Sequence, residues 1–172
     1  MRIIKRSRPF RAKRILIPLS HGHPIAFQMG IIMQQNAHRH HSSGSTCLIV
    51  EDSAFDQQMM ARVVGRAGPK MNVKVAATLQ SARSALAAGK ISLILLDNNL
   101  PDGIGAEFAI ELAADPQLAN IPVIMVSDWP TPFMWEKAAS AGVLYVVNKA
   151  EFGVRYVDQA LRGRLRKKAH LN

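Results

Sequence analysis

A single cysteine, Cys47, is present in the whole 172-residue chain, so no disulfide can form within one copy. The fold must hold without cross-links, which suits a reducing compartment. Cys47 sits inside an apolar run and reads as a small buried hydrophobe, not a nucleophile. Long hydrophobic runs are also missing. No stretch reaches the roughly 18 consecutive apolar residues that a membrane span requires. The basic N-terminus looks at first like a secretory leader, but Ser20-His21-Gly22-His23-Pro24 interrupts its apolar part, so export is not expected and a cytoplasmic location is. Acidic residues are scarce, 12 against 22 Lys and Arg, and none of them falls in residues 1–45. No internal repeat is visible.

The resulting charge of +10 is unevenly spread. Residues 1–45 carry eight cations, residues 46–150 carry eight cations against ten acids, and residues 151–172 carry six against two. The middle of the chain is therefore slightly acidic, and the basic character belongs to the two ends. Those ends could contact nucleic-acid or lipid phosphates, but solvated tails are the simpler reading, and DNA-directed output through a helix-turn-helix after the last helical segment is not expected. His21, His23, His38, His40 and His41 have no acid or cysteine in a fixed scaffold beside them, so a transition-metal site is not expected.

The hydrophobic pattern divides the chain. Residues 1–45 show no sustained period and end in the polar stretch HRHHSSGS, and this part is read as a flexible, basic, His-containing extension. From Thr46 onward, TCLIV (46–50), NVKVAA (72–77), ISLILL (91–96), PVIMVS (122–127) and VLYVV (143–147) are short runs rich in branched aliphatics, as buried strands are. Helical segments separate them. The first begins after Ser53 as a suitable N-cap, presents Phe55, Met59 and Val63 at four-residue spacing, and can end at Gly68. The last places Phe152, Tyr156, Ala160 and Leu161 on one stripe. Five strand–helix units in strict alternation predict a doubly wound five-stranded parallel α/β sheet with helices on both faces.

Most of these strands end on residues foreign to a core. Glu51 and Asp52 follow the first, Asp97 the third, Ser127 closes the fourth, and Lys149 follows the fifth. In an open parallel sheet all such ends share the edge where ligands bind. Two carboxylates ~5 Å apart repel by ~3 kcal/mol at an effective dielectric of ~20, so gathered acids call for a cation. Hard oxygen donors suit Mg²⁺, and a lysine and a hydroxyl nearby would meet phosphoryl oxygens.

CLIVEDS, LILLDNNLPDGIG, VIMVS and VVNKA, in this order and spacing, resemble the receiver (CheY-like) domain of two-component response regulators over about Thr46 to Leu165. The resemblance implies a flavodoxin-like fold with strand order 2-1-3-4-5, a receiver domain over 46–165 and a basic tail over 166–172. It implies Asp97 as phosphoacceptor from a phosphohistidine donor, Ser127 and Lys149 as phosphoryl partners, and Mg²⁺ held by Glu51, Asp52, Asp97 and the backbone carbonyl of Asn99. Its partners would be a histidine kinase or histidine phosphotransfer protein and a downstream protein target, met through the last two helices and last strand. It implies a signalling protein and not a metabolic enzyme, and no separate base, nucleophile or cofactor loop is apparent. A single-domain regulator is the leading reading, and a receiver-like scaffold that works without phosphorylation is the alternative. Three positions depart from the family. Asp128 stands where a small residue is usual, Val146 occupies the switch-aromatic position with Tyr145 one residue earlier on the opposite strand face, and Ala150 replaces a proline, so no cis peptide is expected there.

Overall fold

The computed structural model describes residues 44–169, with side chains as far as Gly163. The histidines and most of both basic ends named above lie outside the described residues. The elements run β1 (Thr46–Val50), α1 (Ala54–Ala67), β2 (Asn72–Ala76), α2 (Leu79–Ala88), β3 (Leu93–Leu96), β4 (Asn99–Leu100), β5 (Gly103–Ile104), α3 (Gly105–Ala114), β6 (Val123–Ser127), α4 (Pro132–Ser140), β7 (Tyr145–Asn148), a 3₁₀ turn (Lys149–Glu151) and α5 (Val154–Ala169). Five strands form one parallel sheet in the order β2-β1-β3-β6-β7. Counted among themselves, these are strands 2-1-3-4-5, the flavodoxin-like order. β4 and β5 form a separate antiparallel hairpin around Pro101 and Asp102.

Alternation along each strand builds two cores. Leu48, Val50, Ile94, Leu96, Met125 and Val146 face α2, α3 and α4, packing with Leu79, Phe108, Leu112 and Met134. Cys47, Ile49, Leu93, Leu95, Ile124, Val126 and Val147 face α1 and α5, packing with Met60, Val64, Val157 and Ala160. All four residues of β3 are fully buried, as expected of the central strand, and each contributes roughly 1.5–3 kcal/mol relative to an exposed side chain. Burial also pushes the Cys47 thiol up to about 12, in keeping with a packing residue.

Two details differ from the sequence reading. The buried face of α1 is carried by Met60 and Val64, while Phe55 is 79% exposed and Met59 and Val63 only partly covered. The ladder 55-59-63 and its neighbour through 60 and 64 are a single residue out of phase, and the second is the one turned toward the sheet. In addition, β2 is a sheet edge that pairs with β1 alone, and its Val73 and Val75 are exposed. Ser53 does cap α1, its hydroxyl accepting from the Asp56 amide at 3.4 Å, and Gly68 ends the helix. In the last segment Phe152, Tyr156 and Ala160 are buried as read, with Leu161 partly covered.

Candidate functional site

Parallel pairing brings the carboxyl ends of β1, β3, β6 and β7 to one edge. In register, Val50 pairs with Leu96, Leu96 with Met125, and Ser127 with Asn148. The residues just beyond therefore meet: Glu51 and Asp52 after β1, Asp97 after β3, Ser127 at the end of β6 and Lys149 after β7. Glu51, Asp97 and Ser127 are buried at 0, 5 and 2% exposure, and Asp52 is exposed. Glu51, Asp52, Asp97, Ser127 and Lys149, singled out in the sequence, thus all lie at this edge.

Asp97 is held from several sides. Its amide donates to the Val50 carbonyl at 2.9 Å, continuing the β1–β3 ladder by one step, and its Oδ2 accepts the Asn99 amide at 3.1 Å. The β4–β5 hairpin then returns the chain so that the Gly105 amide donates to the Asn98 carbonyl at 2.8 Å. The Asn98 side chain accepts the Ala106 amide at 3.2 Å and satisfies a donor at the start of α3, where Ile104 offers no side-chain cap. Gly105 must be glycine, since a Cβ there would overlap the carbonyl oxygen of Asp97. Asn99 is exposed beside this turn.

Lys149 supplies the positive charge. Its Nζ lies 2.8 Å from Glu51 Oε2, 2.8 Å from Asp56 Oδ2, 3.6 Å from Asp128 Oδ2 and 3.7 Å from Asp97 Oδ1. The Glu51 contact is ionic, falling outside hydrogen-bonding angles, whereas Asp56 accepts a hydrogen bond. Glu51 Oε1 accepts the Ser53 amide at 3.1 Å. Burial raises the carboxyls of both Glu51 and Asp97 above the usual range, opposed by Lys149 and by backbone donors. Burial works against the Lys149 ammonium too, but the hydrogen bond to Asp56, the ionic contact with Glu51 and the charge of Asp97 outweigh it and hold the ammonium above the ordinary lysine value.

One oxygen each of Glu51, Asp52 and Asp97 lie within 4.8 Å of one another. An all-oxygen, net anionic donor set with one exposed member fits a hard divalent cation such as Mg²⁺. Asp128 is exposed, its backbone carbonyl accepting from Asn148 Nδ2 at 2.6 Å, and Trp129 is 82% exposed. Both turn mainly to solvent. Val146 is fully buried on the α4 side, while Tyr145 lies on the α5 side, its hydroxyl donating to Gln159 at 2.7 Å and its ring edge-on to Tyr156. The one-residue offset thus places the tyrosine on the sheet face opposite α4, and all described peptide bonds are trans.

Asp56 was not among the residues singled out in the sequence. The available signal was slight: it follows Asp52 by four residues and stands in the first turn of α1.

Fold and pocket together define a flavodoxin-like α/β protein with an acidic, lysine-bearing cleft at the carboxyl edge of its sheet. The response regulator receiver domain family matches residues 47–160, and the chain belongs to that family, a signalling module of two-component systems. It is 30% identical over 101 residues to the cyclic di-GMP phosphodiesterase response regulator RpfG of Xanthomonas campestris pv. campestris, covering 59% of this chain and 27% of that protein. It is 37% identical over 84 residues to the phosphate regulon transcriptional regulatory protein PhoB of Pseudomonas aeruginosa, covering 49% and 36%. The chain thus spans only about a third or less of these relatives. Among solved structures, a receiver domain protein (CheY-like) from Methanospirillum hungatei superposes with a TM-score of 0.63 at 20% identity over 76% of this chain and 100% of that one. The receiver domain of a DNA-binding response regulator from Colwellia psychrerythraea gives 0.63 at 19%, over 71% and 98%. No helix among the described residues is long and apolar enough to cross a membrane.

Proposed function

We propose that this chain is a single-domain response regulator that accepts a phosphoryl group on Asp97 from a phosphohistidine donor, in a Mg²⁺-dependent reaction, and signals in the cytoplasm through protein contacts. The observation that carries the reading is the convergence of a buried carboxylate, Asp97, with two further acids and one lysine at the sheet edge. Residues 46–165 would form the receiver, flanked by the basic extension and tail.

In this reading an Asp97 oxygen attacks phosphorus, an O–P bond forms, the P–N bond of the donor breaks, and its electron pair returns to the imidazole nitrogen. The Asn99 amide fixes the carboxylate through the other oxygen. Ser127 donates to a phosphoryl oxygen, and Lys149 offsets the charge that accumulates. Glu51, Asp52, Asp97 and the Asn99 carbonyl would hold the Mg²⁺, which when bound supplies neutralisation of acids and phosphoryl oxygens. Partners are a histidine kinase or phosphotransfer protein upstream and a protein target downstream, engaged through α4, β7 and α5.

Acetyl phosphate with Mg²⁺ should add one phosphate, acid-stable and base-labile, seen as a mass increase of the intact chain. The label should vanish with EDTA and in Asp97→Asn. Labelling that persists in Asp97→Asn would overturn the assignment.

A further inference from the structure

Lys149 has more carboxylates around it than its three N–H donors can serve. The two short contacts, both 2.8 Å, go to Glu51 and Asp56, and Asp97 at 3.7 Å lies beyond hydrogen-bond reach. Of the carboxylates near Nζ, only Asp56 accepts a hydrogen bond from it. The Lys149 and Asp56 side chains are 9% and 20% exposed, so solvent screens this pair weakly, whereas Asp128 at 62% is well screened. Asp56 belongs to α1 and is not one of the three acids of the candidate cation cluster, and the helix start favours its negative charge.

We propose that Asp56 is a positioning residue that holds Lys149 away from Asp97 in the resting protein, so that phosphoryl transfer requires the ammonium to exchange Asp56 for a phosphoryl oxygen. This rests on the reading of Asp97 as phosphoacceptor. A contact made in the ground state and given up at the transition state raises the barrier, so Asp56 acts as a brake on loading. With acetyl phosphate the step is balanced within the pocket. The Asp97 oxygen bonds phosphorus, the P–O bond to acetate breaks, and acetate leaves with the electron pair without any proton transfer.

Single-turnover loading with acetyl phosphate and Mg²⁺, followed by intact mass, tests this on the full chain. Asp56→Asn should load faster by about three- to tenfold, tenfold corresponding to ~1.4 kcal/mol. Asp56→Glu should return the rate toward that of the wild type, and Asp128→Asn should change it by less than about twofold, as a solvent-screened pair does. A helix-start role alone would lower the thermal midpoint of Asp56→Asn and leave loading unaccelerated. Asp56→Thr, which also suits a helix start, serves if the asparagine variant does not fold. A folded Asp56 variant that loads no faster than the wild type overturns the proposal while leaving Asp97 in place. A wild type that takes no label overturns the phosphoacceptor reading and this proposal with it.

Discussion

At the scale of single residues, two glycines with opposite surroundings show how closely the pocket is packed. An alanine Cβ at position 105 would overlap the Asp97 carbonyl oxygen and stand 3.0 Å from Asn98 Cα, both backbone atoms that cannot rotate away. At Gly65, within α1, nothing lies within 4 Å of the added carbon. Gly105→Ala is therefore expected to cost about 3 kcal/mol through overpacking. Gly65→Ala should gain about 1 kcal/mol, since alanine restricts the unfolded chain and suits a helix. Urea midpoints at a constant denaturant slope measure both, and a Gly105→Ala protein as stable as its parent would contradict the packing described. The same scale shows what could be read in advance. Asp97, Glu51, Ser127 and Lys149 were legible because a polar residue directly after a buried strand has few other reasons to be there. Asp56 was not, because an acid in the first turn of a helix is ordinary, and its pairing with a lysine 93 positions away depends on how α1 is rotated against the sheet.

Among elements, the start of α2 shows local and distant capping combined. Thr78 and Ser81 form a reciprocal capping box, the Thr78 hydroxyl accepting the Ser81 amide at 3.0 Å and the Ser81 hydroxyl accepting the Thr78 amide at 3.1 Å. The two amides between them, Leu79 and Gln80, donate to the carboxylate of Asp102 at 2.8 and 2.9 Å. Asp102 stands at the tip of the β4–β5 hairpin, where Gly103 has φ +155 and packs against Leu79, so α2 is fastened to the turn that follows Asp97. These amide bonds hold the Asp102 carboxyl below its usual value. A depressed folded value means stability that is present at neutral pH and lost as pH falls below the ordinary aspartate range and through the folded value. Asp102→Asn should lower the melting temperature by a few degrees at pH 7. The gap should close in acid, because the wild-type carboxyl is then protonated, and an equal gap at both pH values would contradict the capping role. The five sheet strands were legible from their aliphatic runs, but this hairpin was visible only as a turn. Its strands have two residues each, too few to show a period. The phase of α1 was hidden for a related reason, since two adjacent four-residue ladders are both apolar and only packing on the sheet selects between them.

Across the whole molecule, core-forming residues and charge are distributed differently along the sequence. The folded unit with two cores lies between Thr46 and Ala160, while eight cations without an acid lie in residues 1–45 and three more in residues 166–172. Removing those eleven cations takes the formal charge from +10 to −1, so residues 46–165 are nearly neutral overall, with Glu51, Asp52, Asp56, Asp97 and Asp128 gathered at the Asp97 site. Among the described residues the last fully buried side chain on α5 is Ala160, with Leu161 partly covered, so a chain trimmed to 46–165 keeps the described residues that pack the helix on the sheet. It should still unfold cooperatively and still take phosphate on Asp97. The two forms should part on a polyanion such as heparin. The full chain is expected to be retained and to elute earlier as salt rises, because each neutralised anionic group contributes to the salt dependence, while the trimmed chain should flow through. Equal retention of both would place the basic surface on the receiver itself. Loss of folding on trimming would make one of the basic ends a structural part of the domain, a coupling that the hydrophobic pattern of residues 1–45, with no sustained period, gives no reason to expect.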